Sequence, residues 1–388
     1  MSGEEMKLEP EHEMMLAGEA GKAMASAMGT LVEYGKSFGA KRMVPVKSCH
    51  LAGTFGIKIY KAYLLILNQL VKEGVQCKVL TTVNPRPGYD LHIGNKFVFA
   101  KQKILETLLA DLGVVPNYSC VCYDSINIPK LGDCISWAES SAVQYANSVL
   151  GARTNRNSIL IDICSAVTGY TPEFGYLLDE NRRGCILVKL EINEMDASGL
   201  GFLIGKKVVD KVPVIENYNF SKIELKNMGG AMAASGGVAL FHVEGITPEA
   251  PDFETVFDGA PKEVITITQK DLDALRFKDL DTATSVVFGC PQMTYEEAMI
   301  LGQHFAGKKT KLPTWFCMIP EASKRFEGSD LYTKVVEAGV KVVDFCPLAG
   351  FSLRIGNKRL LTPSGKLYYY LSDTIYGTVK DCLKACGV

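Results

Sequence analysis

The sequence contains no long apolar run and no long run of basic residues. Its longest apolar stretches, such as residues 62–67, are far shorter than the roughly 20 residues that span a membrane. Lys and Arg together number 42 against 43 Asp and Glu, so the charge gives no sign of a nucleic-acid-binding face. Residues 1–15 are polar and acidic, without the apolar segment of a signal peptide. We therefore expect a soluble, cytoplasmic protein that binds neither membranes nor nucleic acids.

Histidine is scarce, with five residues, and the twelve cysteines form no CxxC pair. Closed zinc sites draw on such pairs and on histidine, so a zinc site is disfavoured. The spacing is also unlike the compact cysteine motif of electron-transfer ferredoxins. A disulfide framework is not expected in a cytoplasmic protein. Most of the cysteines are therefore expected to be small buried side chains, and the exceptions must be found by position.

Helix-like and strand-like segments alternate along the chain. Residues 58–73 have the apolar spacing of an amphipathic helix and lead into a predicted strand at residues 76–83. Residues 11–38 and 134–150 are further predicted helices, and residues 238–243 look strand-like. Such alternation predicts an α/β protein with mostly parallel sheets. We place a boundary near residue 260, which divides the chain into residues 1–260, with two interleaved subdomains, and residues 261–388.

Two Cys-Pro pairs end predicted strands. Cys290 ends the apolar run that begins at residue 285, and Cys346 ends the run that begins at residue 340. Ligands collect at the carboxyl ends of strands in open α/β sheets, and the following proline restricts the turn. With Cys120 as a third candidate, thiolates from separate loops could hold an iron–sulfur cluster that has one iron free of protein ligands. Such an iron could bind a substrate hydroxyl as a Lewis acid.

Several stretches resemble the aconitase X family, and they occur in order along nearly the whole chain. They are WAESSAV (137–143), ANSVLGARTNR (146–156), TG and TPE (168–173), LDENRR (178–183), LFH and GITPEA (240–250), GCP (289–291) and CP (346–347). The resemblance implies an aconitase-like, multi-domain α/β/α architecture with mostly parallel sheets. It also implies a cluster on Cys120, Cys290 and Cys346, with [4Fe–4S] favoured and [2Fe–2S] or mononuclear iron as alternatives.

The resemblance further implies a hydro-lyase large subunit that removes water from a small anionic hydroxy acid. A small swivelling-domain subunit, expected as a separate chain, would carry a catalytic serine. Residues 52–54 and 84–85 are nearer to the phosphomevalonate dehydratase branch, which converts mevalonate 5-phosphate to anhydromevalonate 5-phosphate. The cis-3-hydroxy-L-proline dehydratase large subunit is one alternative, and a non-catalytic iron–sulfur redox-sensing subunit is another.

Two cysteines depart from the family pattern. The family has proline at the position of Cys122 and histidine at the position of Cys134. These cysteines are either alternative ligands or the mark of a member with altered activity.

Arg153 and Arg156 are predicted to bind the anionic part of the substrate, because guanidinium groups bind carboxylates and phosphates with paired hydrogen bonds. The alternative is that one or both form structural salt bridges with Glu139, Asp179 or Glu180.

His50, Glu139 and Ser140 are the catalytic candidates. The family has histidine at the position of His50, which could contact the substrate or a metal-bound water, although a lone histidine is more often structural. Glu139 is a charged residue among small apolar neighbours, so its burial would demand a partner or a raised pKa. It could relay a proton or only form a structural ion pair.

Thr54, Asn84 and Lys366 complete the predicted substrate site. Asn84 ends a predicted strand and could point into the same crevice or cap a turn. Lys366 stands where the family has a similar Ser-Ala-Lys motif, which suggests a contact with an anion. The alternative for Lys366 is a solvated surface lysine.

Overall fold

The structure, a computed structural model, describes residues 6–53, 60–88, 100–276, 280–352 and 359–388. Thr54 lies outside the described residues. Within these ranges, parallel sheets and covering helices follow one another in three regions. None of the described helices is long and apolar enough to cross a lipid bilayer.

The first region contains a parallel sheet with strand order β3-β2-β4 and a separate antiparallel pair, β1-β5. Its elements are α1 (Pro10–Ala17), α2 (Lys22–Ser37), β1 (Met43–Pro45), β2 (Ser48–Ala52), α3 (Tyr60–Lys72), β3 (Leu80–Asn84), α4 (Ala100–Asp111), β4 (Ser136–Trp137), α5 (Ser140–Ser148), α6 (Ile159–Thr168) and β5 (Tyr170–Pro172). Leu31, Leu67 and Leu105 from the helices and Val83 from the sheet share one buried apolar core.

The second region is a four-stranded parallel sheet with order β8-β7-β6-β9. Its elements are β6 (Ile186–Glu191), α7 (Ala197–Val208), β7 (Pro213–Ile215), α8 (Lys222–Gly236), β8 (His242–Val243), α9 (Phe253–Val256), β9 (Glu263–Thr268) and α10 (Gln269–Leu275). The boundary predicted near residue 260 falls between β8 and β9 of this sheet, and it stays a prediction about the division into folding units.

The third region is a five-stranded parallel sheet with order β12-β11-β10-β13-β14. Its elements are β10 (Ser285–Met293), α11 (Tyr295–Gly302), β11 (Thr314–Met318), α12 (Pro320–Glu327), α13 (Asp330–Glu337), β12 (Val340–Val343), α14 (Pro347–Phe351), β13 (Leu360–Thr362), α15 (Gly365–Tyr370), β14 (Thr374–Tyr376) and α16 (Val379–Cys386). Thr294 caps α11 in a capping box with Glu297, which satisfies free backbone donors at the start of that helix.

The predicted α/β class with mostly parallel sheets is confirmed, while several predicted boundaries were wrong. The single helix expected over residues 11–38 is two helices, because Gly18 ends α1 and Gly21 precedes α2, both with positive φ. This conformation breaks the helical path and favours glycine. The strand expected over residues 238–243 covers only residues 242–243.

Helices α7 and α8 pack in close contact, and glycine residues lie where their backbones approach each other. A Cβ atom at Gly201 of α7 would overlap the backbone carbonyl of Met228 on α8. We expect Gly201→Ala to lower the free energy of unfolding by about 1–3 kcal/mol, because overpacking forces the helices apart.

Gly29→Ala is the matched control. Gly29 lies within α2 with its nearest neighbouring atom, on Leu16, 3.8 Å from the added Cβ. This change should raise the free energy of unfolding by about 0.5–1 kcal/mol, because alanine is the better helix former. Denaturant unfolding of both variants gives the comparison. Equal effects at the two positions would contradict the close packing of α7 on α8.

Candidate active site

A cavity of about 490 Å³ lies where the first and third regions meet. Its walls come from the carboxyl ends of β2 and β3, the start of α5, Cys290 of β10, the start of α14, and α15. Cys290 was expected at a strand end, but it lies within β10, which continues to Met293. The predicted site residues that line the cavity are Asn84, Cys120, Glu139, Ser140, Arg156, Cys290, Cys346 and Lys366. The fold therefore brings residues that are more than 200 positions apart in the sequence into one cavity.

The three cysteines of the cavity are buried. Burial raises the pKa of Cys120 to about 12 and also raises those of Cys290 and Cys346, whereas the positive charge of Lys366 lowers all three. The backbone N–H of Gln292 donates a hydrogen bond to Sγ of Cys120, at 3.3 Å. Backbone N–H groups at the start of α14 likewise lower the pKa of Cys346. These donors and the ammonium group suit cysteines that become thiolates when they bind a metal.

Lys366 and Glu139 form a buried ion pair beside these cysteines. Lys366 Nζ lies 2.6 Å from Glu139 Oε1 and donates to Ser141 Oγ at 2.6 Å. The other carboxylate oxygen of Glu139 accepts the backbone N–H of Ala142 at 2.7 Å, at the start of α5. Burial raises the pKa of Glu139, but Lys366 and this N–H outweigh it and hold the pKa below its ordinary value. Burial alone would lower the pKa of Lys366, but Glu139 and the cysteines raise it, so both groups are ionised at neutral pH.

Asn84 brings an unused hydrogen-bonding atom to the cavity. Its side chain is buried, and Oδ1 has no hydrogen-bond partner within the described part of the chain. A buried amide oxygen is costly to leave without a donor. The position therefore suits a ligand that carries a hydroxyl or a similar donor.

The structure places Arg156, but not Arg153, on the cavity wall. Arg156 is exposed, and its Nη1 donates weakly to the Ala233 carbonyl at 3.4 Å. Arg153 instead pairs with Asp179 at 2.5 Å and donates to the Leu177 carbonyl at 3.1 Å. The contacts of Arg153 fit the structural alternative, while its role as an anion ligand stays a prediction.

His50 is fully buried in β2 and is absent from the cavity lining. Its Nδ1 lies 2.8 Å from Thr82 Oγ1, and its Nε2 has no partner among the described residues. Burial lowers the pKa of His50 to about 4, so the ring is neutral at physiological pH. Its catalytic role stays a prediction, and the surroundings favour an interior histidine that supports the pairing of β2 with β3.

Cys122 and Cys134 also lie away from the cavity lining. Cys122 is buried, with Thr82 near its thiol, and Cys134 is half-buried near Arg153. The described ranges contain no group of three Cys, His, Asp or Glu side chains close enough to share one metal ion.

Sequence patterns did not identify Ser141 or Gln292. Ser141 directly follows the candidates Glu139 and Ser140, and Gln292 follows the Cys290-Pro291 pair. Proximity in sequence to a motif residue was the available signal in both cases. Their partners, Lys366 and Cys120, are 225 and 172 residues away.

Comparison with known proteins identifies the family of the chain. Family models named aconitase X first, second and third domain match residues 5–180, 183–276 and 283–387. The crystal structure of Thermococcus kodakaraensis aconitase X in its holo-form superposes with a TM-score of 0.88 at 32% identity, covering 98% of this chain and 100% of that one.

The curated relatives include two kinds of dehydratase. The phosphomevalonate dehydratase large subunit of Thermococcus kodakarensis is 36% identical, over 94% of this chain and 95% of the relative. The cis-3-hydroxy-L-proline dehydratase of Pseudomonas aeruginosa is 32% identical, over 71% of this chain and 49% of the relative. The fold and the relatives define an α/β protein of the dehydratase class. The chain belongs to the aconitase X family, so the predicted family and the predicted class are confirmed.

The buried neutral His50 predicts a loss of stability in acid. The unfolded chain takes up this proton near the ordinary pKa of 6.5, but the folded protein does so only near 4. The free energy of unfolding should therefore fall between pH 6.5 and about 4, by up to about 3 kcal/mol from this group. In His50→Gln the decline over this window should be shallower by a similar amount, as measured by denaturant unfolding at several pH values. An unchanged slope would show that His50 is not a buried neutral group.

Proposed function

We propose that this chain is the large subunit of a dehydratase that removes water from mevalonate 5-phosphate, with an iron–sulfur cluster bound by Cys120, Cys290 and Cys346. The observation that carries the proposal is the meeting of these three buried cysteines in one cavity with the Lys366–Glu139 pair. The names of the relatives supply the substrate class.

The residues of the cavity fit such a cluster. Three thiolates from separate segments, with N–H donors and an ammonium group nearby, form a suitable donor set. Three protein ligands favour a [4Fe–4S] cluster with one iron open, and a [2Fe–2S] cluster is the alternative. When bound, the cluster would supply a Lewis acid for the hydroxyl that leaves.

The protein side chains would orient the substrate and exclude water. Arg156 stands at the exposed side of the cavity, where its guanidinium group can bind the phosphate or carboxylate. Asn84 offers its free amide oxygen to a substrate hydroxyl. Apolar walls from Pro85, Leu348 and Leu371 limit the water in the cavity.

The proton acceptor is assigned to a small partner subunit. Glu139 is ionised, but Lys366 and the Ala142 N–H already occupy its oxygens, so its role is to hold the ammonium group beside the cysteines. Ser140 lies 3.5 Å from Glu139, too far for strong activation as a base. The relatives that are named large subunits imply a small subunit, and we propose that it completes the site.

The direct test is dehydration by the full chain together with the small subunit from the same genome. The chain is loaded with iron and sulfide without oxygen, and loss of water is followed by mass spectrometry. We expect turnover of mevalonate 5-phosphate. Turnover of cis-3-hydroxy-L-proline alone would show that the chain is a cis-3-hydroxy-L-proline dehydratase instead. A full cluster without turnover of either compound would favour a redox-sensing subunit.

Loss of a cluster ligand should remove iron. We expect Cys120→Ser, Cys290→Ser and Cys346→Ser each to lose most of the iron and visible absorbance, because serine is a poor ligand for iron in clusters. Cys77→Ser is the control, since Cys77 is a half-buried cysteine that does not line the cavity. Iron and sulfide analysis of the four variants tests the assignment. Full iron content in any of the three ligand variants would remove that cysteine from the ligand set.

Arg156 and Arg153 should respond differently to substitution. If Arg156 binds the anion, Arg156→Ala should lose about 1.5–3 kcal/mol of binding, or roughly 10- to 100-fold in kcat/KM. Arg156→Lys should recover little, because lysine lacks the planar paired donors. Arg153→Ala should mainly lower the melting temperature, since it breaks the contacts with Asp179 and Leu177. Kinetics and thermal unfolding of the three variants separate the two roles. Loss of activity in Arg153→Ala with loss of stability in Arg156→Ala would show instead that Arg153 binds the anion.

A further inference from the structure

The side chain of Gln292 forms hydrogen bonds to Cys120, Met318 and Asp344, from three separate segments. It lies near the carboxyl end of β10, two residues after Cys290, and it is fully buried. Its Nε2 donates to the carbonyls of Met318 and Asp344, at 2.9 and 3.4 Å. Its Oε1 accepts the backbone N–H of Cys120 at 3.2 Å. The amide of Gln292 therefore both donates and accepts hydrogen bonds within the protein.

Two of these bonds reach segments beside proposed cluster cysteines, and the third reaches the neighbouring strand β11. Asp344 is two residues before Cys346, and Met318 ends β11, between β10 and β12 in the sheet. The bond from Cys120 crosses to the first region, and the Gln292 backbone N–H adds a second bond, to Cys120 Sγ at 3.3 Å. Gln292 thus connects the backbone around Cys120, Cys290 and Cys346.

The second region also contacts Gln292, through a hydrogen bond to its backbone carbonyl. Lys226 of α8 is buried, and its Nζ donates to the Gln292 carbonyl at 2.9 Å. The same ammonium group pairs with Glu297 of α11, whose other oxygen accepts Asn227 Nδ2 at 3.1 Å. Gln292 is therefore bonded to all three regions of the chain.

We propose that Gln292 is a positioning residue, which holds Cys120 at the distance from Cys290 and Cys346 that a shared cluster requires. The inference rests on the proposed cluster site, but the placement of Cys120 can be measured without a cluster. Removal of the amide takes away the side-chain partner of the Cys120 N–H and of two strand-end carbonyls. Cys120 then loses the side-chain hydrogen bond that joins its backbone to the third region, while the bond from the Gln292 backbone N–H to its Sγ remains.

Gln292→Met is the test variant, because methionine has a similar shape and forms no such hydrogen bonds. Gln144→Met is the matched control. Gln144 is also fully buried, and neither atom of its amide has a partner within the described ranges. The two changes remove the same chemical group at the same burial, and only the first removes contacts with Cys120.

The first measurement is the alkylation rate of individual cysteines in the cluster-free full chain, by iodoacetamide and peptide mass spectrometry. In Gln292→Met, Cys120 should react about tenfold faster or more, which corresponds to the loss of one hydrogen bond between buried groups. Cys382, which is buried in α16, should keep its wild-type rate. Gln144→Met should change neither rate.

The second measurement is the loss of iron to a chelator from the loaded chain. In Gln292→Met, it should be about 10- to 100-fold faster than in the wild type, the usual effect of removing a hydrogen-bonding partner of a metal ligand. If Gln292→Met does not fold, Gln292→Glu takes its place. That variant keeps an oxygen for the Cys120 N–H and loses the two donors, so iron should be lost faster while Cys120 stays protected.

The outcomes separate this proposal from the proposed function. A wild-type chain that takes up no iron would refute the cluster, and faster labelling of Cys120 alone would still support the positioning role. Equal acceleration of Cys120 and Cys382 would show a general loss of stability and overturn the proposal. Unchanged labelling and iron retention in Gln292→Met would also overturn it.

Discussion

The buried ion pair between Lys366 and Glu139 is the contact on which the rest of the site depends. It joins the start of α5 to α15 across 227 residues of sequence. Either charge alone would be expensive at this depth, since breaking such a pair typically costs about 3–5 kcal/mol. The pair therefore links the first and third regions, and neither partner can be removed without leaving a buried charge. It also places a positive charge beside three thiols that would carry negative charge as ligands.

Parallel strands explain why the cavity forms at this place. β2 and β3 end at Ala52 and Asn84, Cys290 lies near the carboxyl end of β10, and β12 leads into the turn that carries Cys346. The carboxyl ends of parallel strands are where ligands collect in α/β folds. Two sheets with these ends facing one another enclose a cavity with polar groups from both sides. The chemistry then depends on loops and helix starts, while the strands supply a rigid frame.

The sequence predicted the class of fold, and eight of its candidate site residues line one cavity. Cys290 and Cys346 were selected because each precedes a proline near the end of an apolar run, although β10 continues beyond Cys290 to Met293. The selection of Cys120 over Cys122 depended on family resemblance, since both lie in one short segment. The partner of Lys366 and the bonds of Gln292 were not predictable, because they join residues that are far apart in sequence. Periodicity and local propensity describe elements and do not determine how side chains meet between regions.

The central claim is that one cluster is bound by three cysteines in the cavity between the first and third regions. X-ray diffraction at the iron absorption edge, from crystals of the full chain loaded without oxygen, tests it most directly. The account predicts anomalous density inside the cavity, within bonding distance of the Sγ atoms of Cys120, Cys290 and Cys346. Iron bound at Cys122 or Cys134, with no anomalous density in the cavity, would contradict it.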